Sequence, residues 1–201
     1  MDNTETNRQK YREILFTTPG IEQYISGVIL HEETIFQKCK DGTLLMDQLL
    51  ERGIIAGVKV DKGLKQFSGG LNETVTQGLD DLDSRCRNFY EHGCRFTKWR
   101  SVFHVREVNG ILETPTTKAI EVNVQDLARF AYISQMSGLV PIVEPEVLMD
   151  GDFSIDAATL ATETVIAAVF KVPYFSFLPF TVAKNLSATL ILGAKRLSRH
   201  T

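Results

Sequence analysis

The sequence predicts an α/β fold in which about four parallel strand–helix units follow an opening helix. Short apolar runs alternate with amphipathic segments along most of the 201 residues. Strands that are joined by crossover helices must run parallel, with right-handed connections. Three of the apolar runs end in charged residues, and the carboxyl ends of parallel strands meet at one edge. The pattern fits a doubly wound sheet or a (β/α)-barrel, and in both the chemistry gathers at that edge.

The first part of the chain contains the opening helix and the first unit. Apolar residues at helical spacing follow a candidate N-cap at Thr4 or Thr6 and stop before Pro19. Residues 27–30 form a short apolar run, which predicts a buried strand. Residues 44–52 then predict an amphipathic helix that ends at a glycine.

The second unit and the third strand follow. Residues 54–60 are a continuous apolar run of the kind that is buried on both faces of a sheet. We expect a long loop over 61–72, and an apolar stripe over 79–89 predicts a helix. Residues 96–103 predict the third strand. Because residues 107–117 are rich in turn residues, they predict an irregular connection.

The fourth strand and its helix end the regular pattern. Asn123 and Asp126 resemble a capping box, so we expect a helix from this point to a glycine before residue 139. Residues 139–143 predict the fourth strand, and residues 155–171 an alanine-rich helix. Residues 1–171 therefore form one predicted domain.

Residues 172–201 do not continue the pattern and form a divergent tail. The segment contains no Asp or Glu, and residues 173–180 are apolar and interrupted by proline. A membrane span needs roughly 20 apolar residues, so the sequence argues against a membrane partner. The tail cations are Lys184, Lys195, Arg196 and Arg199.

Composition restricts the class of function. A net charge of -3 argues against a nucleic-acid partner. Three cysteines without a CxxC pair, and a polar start without an apolar signal region, indicate a reducing, cytoplasmic setting. The four histidines are scattered, and no Walker or GxGxxG loop occurs, so we expect neither a metal site nor a cofactor.

The third strand carries the most informative residues. Alternation places Lys98 and Arg100 on one face of the strand and Trp99, the single tryptophan, on the other. Two neighbouring cations in a position with little water are costly unless an anion meets them. The alternative is that one of the two side chains extends to the solvent at the rim.

Similar charged residues end the second and fourth strands. Lys59 and Asp61 share a face, although a surface ion pair in a loop is the alternative. Glu144 and Glu146 also share a face, although the start of a loop that tolerates acids is the alternative. Paired carboxylates near cations commonly set an acid/base pKa, and arginine offers two hydrogen bonds to phosphate. Together the residues predict a site for a phosphorylated, polarised substrate.

Several motifs in order resemble class I fructose-bisphosphate aldolase, and the resemblance spans about residues 4–171. It implies a (β/α)8 barrel, of which this chain holds family strands 2 to 5, and a cytosolic glycolytic enzyme that is usually a homotetramer. The family cleaves fructose 1,6-bisphosphate into dihydroxyacetone phosphate and glyceraldehyde 3-phosphate. The motifs are Glu5–Arg12, Gly27–Leu30, Gly57–Gly63, Thr76–Asp80, Lys98–Arg100 and Val140–Glu146.

The resemblance also implies a role for each candidate residue. In this family a lysine forms a Schiff base with the substrate ketone. Lys98 would assist at the reacting centre, Glu144 would exchange protons during carbinolamine dehydration, and Glu146 would support the Schiff-base lysine electrostatically. The implied substrate-binding residues are Lys59, Asp61 and Arg100.

The departures from the family pattern bear on activity. The family's first strand, with its catalytic aspartate, should precede the opening helix, and no Leu-Leu-Lys-Pro-Asn motif supplies a Schiff-base lysine. Residues 105–117 resemble a small insertion, and His31-Glu32 replaces an aromatic-His pair. A frameshift, a retained intron or an alternative exon would each explain the tail.

We therefore expect a truncated, catalytically inactive aldolase chain. The alternative is a non-enzymatic fragment that binds phosphosugar or associates with full-length subunits. Attachment to a membrane through residues 172–201 is the least favoured hypothesis.

Overall fold

A computed structural model describes residues 2–67, 69 and 71–172, together with the backbone of 189–190. Five parallel strands form the main sheet, and two short antiparallel hairpins stand beside it. The strands are β1 (Gly27–His31), β2 (Ile55–Lys59), β3 (Leu64–Gln66), β4 (Thr74–Thr76), β5 (Phe96–Phe103), β6 (Arg106–Val108), β7 (Ile111–Thr114), β8 (Val140–Val147) and β9 (Thr189–Leu190).

The α-helices connect the strands and cover one side of the sheet. They are α1 (Glu5–Phe16), α2 (Glu32–Phe36), α3 (Leu45–Leu50), α4 (Leu82–Glu91), α5 (Thr117–Met136) and α6 (Ile155–Lys171). The order of strands in the sheet is β1-β2-β5-β8-β9, so each successive parallel strand is added at the same edge. This order confirms the predicted α/β fold with four parallel units.

Alternation along the strands separates an outer face, which packs on the helices, from an inner face. Outward residues such as Val58, Trp99 and Val143 are fully or almost fully buried. On the inner face of the first two strands, Ile29 and Ile55 are 43% and 51% exposed. The core therefore lies between the sheet and the helices, while the inner face is partly open.

Two segments that were predicted to be irregular contain hairpins. Part of the expected loop over 61–72 forms β3, which pairs with β4, and the expected irregular connection over 107–117 contains β7, which pairs with β6. Strands of three or four residues are too short to show a periodic pattern, because periodicity needs several repeats. The prediction of a loop and of an irregular connection was therefore wrong where these strands form.

The limits of two other elements also differ from the prediction. Helix α5 begins at Thr117, with the Thr116 hydroxyl accepting from the Ala119 N–H, instead of beginning at Asn123. The Asn123 side chain instead donates to two backbone carbonyls from inside the helix. Strand β8 continues to Val147, so both glutamates lie within the strand and not after it.

The tail contributes one described element. Thr189 and Leu190 pair in parallel with Ile142 and Val143, so β8 has a further neighbour that the sequence pattern did not predict. The predicted apolar segment 173–180 lies outside the described residues. In the part of the chain that the structure describes, no helix is long and apolar enough to cross a bilayer.

A cluster of charges holds α1 against the start of α2. Arg8 donates from Nε and one terminal nitrogen to the two carboxylate oxygens of Glu33, at 2.6 and 2.8 Å. Arg12 adds a third hydrogen bond to Glu33, at 2.7 Å. These hydrogen bonds, led by that from Arg8, lower the pKa of the Glu33 carboxyl from 4.5 to about 2.

The Glu33 cluster predicts a loss of stability in acid. Because the folded pKa lies below the ordinary value, the stabilisation is complete above about pH 5 and disappears as the pH falls towards about 2. We expect Glu33→Gln to lower the free energy of unfolding by about 1–2 kcal/mol at pH 7. At pH 2 the wild type and the variant should be similar. Urea unfolding at both pH values measures this.

Glu121→Gln is the matched control for this prediction. It removes a carboxylate from an exposed ion pair with Lys118. Because water and salt screen an exposed pair, this pair contributes little to the free energy of unfolding. An equal stability difference for Glu33→Gln at both pH values would contradict the prediction.

Candidate functional site

The charged residues that the sequence singled out lie on the inner face, from the end of β2 across β5 to the second half of β8. Trp99 is fully buried on the outer face, where its ring stacks on Phe130 of α5 with centroids 5.6 Å apart. Since neighbouring residues of a strand point to opposite faces, Lys98 and Arg100 must face inward. The structure therefore confirms the predicted arrangement of β5.

The register of β5 and β8 brings an anion to each of these two cations. Arg100 stands opposite Glu144 in the register, and Val102 stands opposite Glu146. Each cation contacts the glutamate two residues further along the partner strand, so Lys98 Nζ lies 2.6 Å from Glu144. Two parallel diagonal ion pairs thus cross from β5 to β8.

The second diagonal pair joins Arg100 and Glu146. The guanidinium donates to Glu146 Oε2 at 2.9 Å. The side chain of Arg100 is 40% exposed, compared with 20% for Lys98, so Arg100 extends towards the rim while it keeps its partner. The hydrogen bond to Glu146 uses one terminal nitrogen of this guanidinium, which carries five N–H donors in all.

The third ion pair lies at the end of β2, beside Lys98. Lys59 stands opposite Lys98 in the register, and its Nζ lies 2.6 Å from Asp61 Oδ1. Asp61 is only 4% exposed, and the Gly63 N–H also donates to its Oδ1 at 3.2 Å. The pair that was considered as a surface contact is therefore largely buried on the carboxylate side.

The three ion pairs contain three cations and three carboxylates, so their formal charges cancel. All six predicted residues lie on three neighbouring strands or directly after one of them, but the predicted position at the strand ends is wrong for β5. Lys59 ends β2 and Asp61 follows it, whereas Lys98 lies near the start of β5, which continues to Phe103. A carboxylate beside each cation fixes the position of that cation and gives the site both proton acceptors and anion-binding donors. Among the described residues, no cluster of His, Cys, Asp and Glu could hold a metal ion.

Three residues near the site were not among the candidate site residues, although Thr76 begins one of the motifs that resemble the family. The Thr76 hydroxyl donates to the Arg100 carbonyl at 2.8 Å, and the Thr74 hydroxyl lies 3.5 Å from the Val102 carbonyl. The buried Glu73 precedes them. The run of β-branched residues at 74–76 is typical of a strand, but neither it nor the motif that begins at Thr76 indicates which strand lies beside it.

Comparison with known proteins agrees with this geometry. The family model described as glycolytic fructose-bisphosphate aldolase class-I matches residues 1–174. The cytosolic fructose-bisphosphate aldolase 7 of Arabidopsis thaliana is 53% identical over 171 residues, which are 85% of this chain and 46% of the relative. The aldolase of Drosophila melanogaster is 45% identical over 199 residues, which are 98% of this chain and 54% of the relative.

A solved structure supports the same relationship. The aldolase of Plasmodium falciparum, in a complex with TRAP and a small-molecule inhibitor, superimposes with a TM-score of 0.79 at 44% identity. The match covers 85% of this chain and 48% of the Plasmodium chain. This chain thus spans about half the length of the relatives that it matches.

The alignments also bear on the segment after residue 171. The Arabidopsis alignment spans 171 residues, whereas the Drosophila alignment covers 98% of the chain and so extends into the predicted divergent tail. The family match, the identity to these relatives and the fold all agree. The chain belongs to the class I fructose-bisphosphate aldolase family.

Proposed function

We propose that this chain forms the part of a class I aldolase site that binds a phosphorylated sugar and moves protons at its reacting centre. The observation that carries the proposal is the set of three ion pairs on one face, which runs from the end of β2 across β5 to β8. Arg100 is the main phosphate-binding candidate, because its side chain is 40% exposed and its hydrogen bond to Glu146 uses only one terminal nitrogen. Lys59, beside Asp61, supplies a second cation to the same substrate.

The proton-handling residues lie deeper on the same face. Glu144 is 13% exposed and contacts Lys98, so a proton can pass between the substrate and this carboxylate without bulk water. Lys98 assists at the reacting centre by placing positive charge beside developing negative charge. Glu146 holds Arg100 and adds negative charge near the position of a Schiff-base lysine.

We further propose that the 201 residues by themselves do not cleave fructose 1,6-bisphosphate. Covalent catalysis in this family needs a neutral lysine amine, and no Leu-Leu-Lys-Pro-Asn motif occurs in the sequence. Lys59 and Lys98 each lie 2.6 Å from a carboxylate oxygen, and neither stands in such a motif. The family relatives named cytosolic support a cytoplasmic location for this chain.

Borohydride trapping tests the proposal of inactivity. We expect purified chain, treated with fructose 1,6-bisphosphate and borohydride, to gain no covalent mass, and we expect no triose phosphate in a coupled assay. The Arabidopsis aldolase, assayed in parallel, is the positive control. A trapped adduct on any lysine of this chain would overturn the proposal.

Calorimetric titration with fructose 1,6-bisphosphate tests the binding site. We expect Arg100→Gln to raise the dissociation constant about tenfold, because a charged hydrogen bond to phosphate is lost. Arg87→Gln is the matched control, since it removes an arginine from an exposed pair with Asp83 on α4. Equal affinities of the two variants would exclude Arg100 from the binding site.

The open inner face favours a second candidate function, association with full-length aldolase subunits. Ile29 and Ile55 are 43% and 51% exposed on this face, and among the described strands β1 has a neighbour on one edge only. Exposed apolar side chains beside an unpaired strand edge favour pairing with another chain. Co-elution with an intact aldolase in size-exclusion chromatography would support this role, and separate elution would contradict it.

A further inference from the structure

The part of β5 that carries Arg100 extends beyond its strand neighbour on one side. Strand β2 pairs with β5 only over Gly57–Lys59, opposite Phe96–Lys98, and the Val60 N–H then donates to the Lys98 carbonyl at 3.0 Å. Strand β5 continues to Phe103. A buried carbonyl without a hydrogen-bond partner is costly, so the next carbonyls on this edge need other donors.

Hydroxyl groups of β4 supply those donors. The Thr76 hydroxyl donates to the Arg100 carbonyl at 2.8 Å, and Thr74 approaches the Val102 carbonyl at 3.5 Å. Thr76 is 3% exposed. The side chain of Thr76 therefore takes the place of a strand N–H at the residue whose guanidinium faces the site.

The hairpin formed by β3 and β4 is itself fixed to α5. Glu73 is 6% exposed, and its two carboxylate oxygens accept from the N–H and the hydroxyl of Thr116, at 2.6 and 2.7 Å. Thr116 is the N-cap of α5, where a negative charge is favoured by the helix dipole. Asn123 also donates from α5 to the Thr74 carbonyl at 2.9 Å.

We propose that the β3–β4 hairpin positions Arg100 for anion binding, with Thr76 as the positioning residue and Glu73 as its anchor. This inference rests on the proposed phosphosugar site. Lys98 provides an internal contrast, because β2 pairs with its part of β5 directly. Loss of the Thr76 hydroxyl should therefore loosen Arg100 from Glu146 and leave Lys98 in its contact with Glu144.

The variants Thr76→Val and Thr76→Ser separate a positioning role from a structural one. Valine keeps the shape of threonine without the hydroxyl, and serine keeps the hydroxyl. Phenylglyoxal modifies arginine, so the modification rate of Arg100 in ligand-free protein, measured by mass spectrometry, reports how firmly the guanidinium is held. Exposed Arg87 is the internal reference.

We expect Thr76→Val to raise the modification rate of Arg100 about threefold to tenfold and to weaken fructose 1,6-bisphosphate binding by a similar factor. Thr76→Ser should restore both values. The emission of Trp99, which is buried on the other face, should not shift. Thr159→Val, which removes an exposed hydroxyl bonded within α6, is the control and should change neither value.

An unchanged Arg100 rate in Thr76→Val, or a red shift of Trp99 emission that accompanies the faster rate, would overturn the positioning role. If Thr76→Val does not fold, Glu73→Gln provides the test, because it weakens the hydrogen bonds to Thr116 while keeping the size of the side chain. We again expect faster modification of Arg100 by phenylglyoxal. If the wild type binds no bisphosphate, the proposed site fails, while the modification rates still decide whether the hairpin holds Arg100.

Discussion

Replacement of Trp99 by alanine should lower the free energy of unfolding by about 3–5 kcal/mol, because it empties the largest fully buried side-chain volume in the described core. The indole stacks on Phe130, and its loss leaves a cavity between β5 and α5. Urea unfolding followed by far-ultraviolet circular dichroism measures the change without relying on tryptophan emission.

Trp99→Phe is the matched control for the cavity. The indole Nε1 has no hydrogen-bond partner among the described residues. Replacement by phenylalanine therefore reduces the buried volume but removes no hydrogen bond. We expect Trp99→Phe to cost about 1–2 kcal/mol. If phenylalanine cost as much as alanine, the loss of stability would not depend on the volume of the cavity, and the prediction would fail.

Trp99 also shows why the site could be predicted in part from the sequence. Alternation within one strand is a local property, so the sequence alone places Lys98 and Arg100 on the face opposite Trp99. The charges at the carboxyl end of β2 and in the second half of β8 follow equally from local patterns. The same patterns predict the four units of the fold, although β1, which was predicted to be buried, is largely exposed.

The partners of those charges could not be predicted in the same way. Arg100 and Glu146 are 46 residues apart, and their contact depends on the register of two strands joined through α5. Register is set by the packing of the whole unit, so no short pattern specifies which glutamate meets which cation. The sequence alone predicts that the cations of β5 need anionic partners, and the register of the folded strands determines which glutamates these are.

The β3–β4 hairpin was missed for a related reason. Glu73 and Thr116 are 43 residues apart, so nothing near Glu73 in the sequence marks it as a buried anchor. Near α5, the pattern at Asn123 and Asp126 resembled a capping box more closely than the true cap at Thr116. In the structure Asn123 bonds to Thr74, a partner that only the folded chain brings within reach.

The second large effect is expected at the pair of Lys98 and Glu144. Lys98→Met should lower the free energy of unfolding by about 2–3 kcal/mol, because Glu144, only 13% exposed, loses the cation that compensates its charge. Urea unfolding at pH 7 measures the loss. The double variant Lys98→Met/Glu144→Gln should recover most of it, since it leaves no uncompensated charge on the inner face.

Lys62→Met is the matched control for this prediction. Lys62 lies 2.7 Å from Asp81, almost the distance of the Lys98 pair, but both side chains are 48% exposed. Water and salt screen an exposed pair, so we expect a change of less than about 0.5 kcal/mol. If Lys98→Met cost no more than Lys62→Met, Glu144 would be stable without its cation. The inner face would then be an open, hydrated surface, and the proton transfer proposed for Glu144 would lose its sheltered environment.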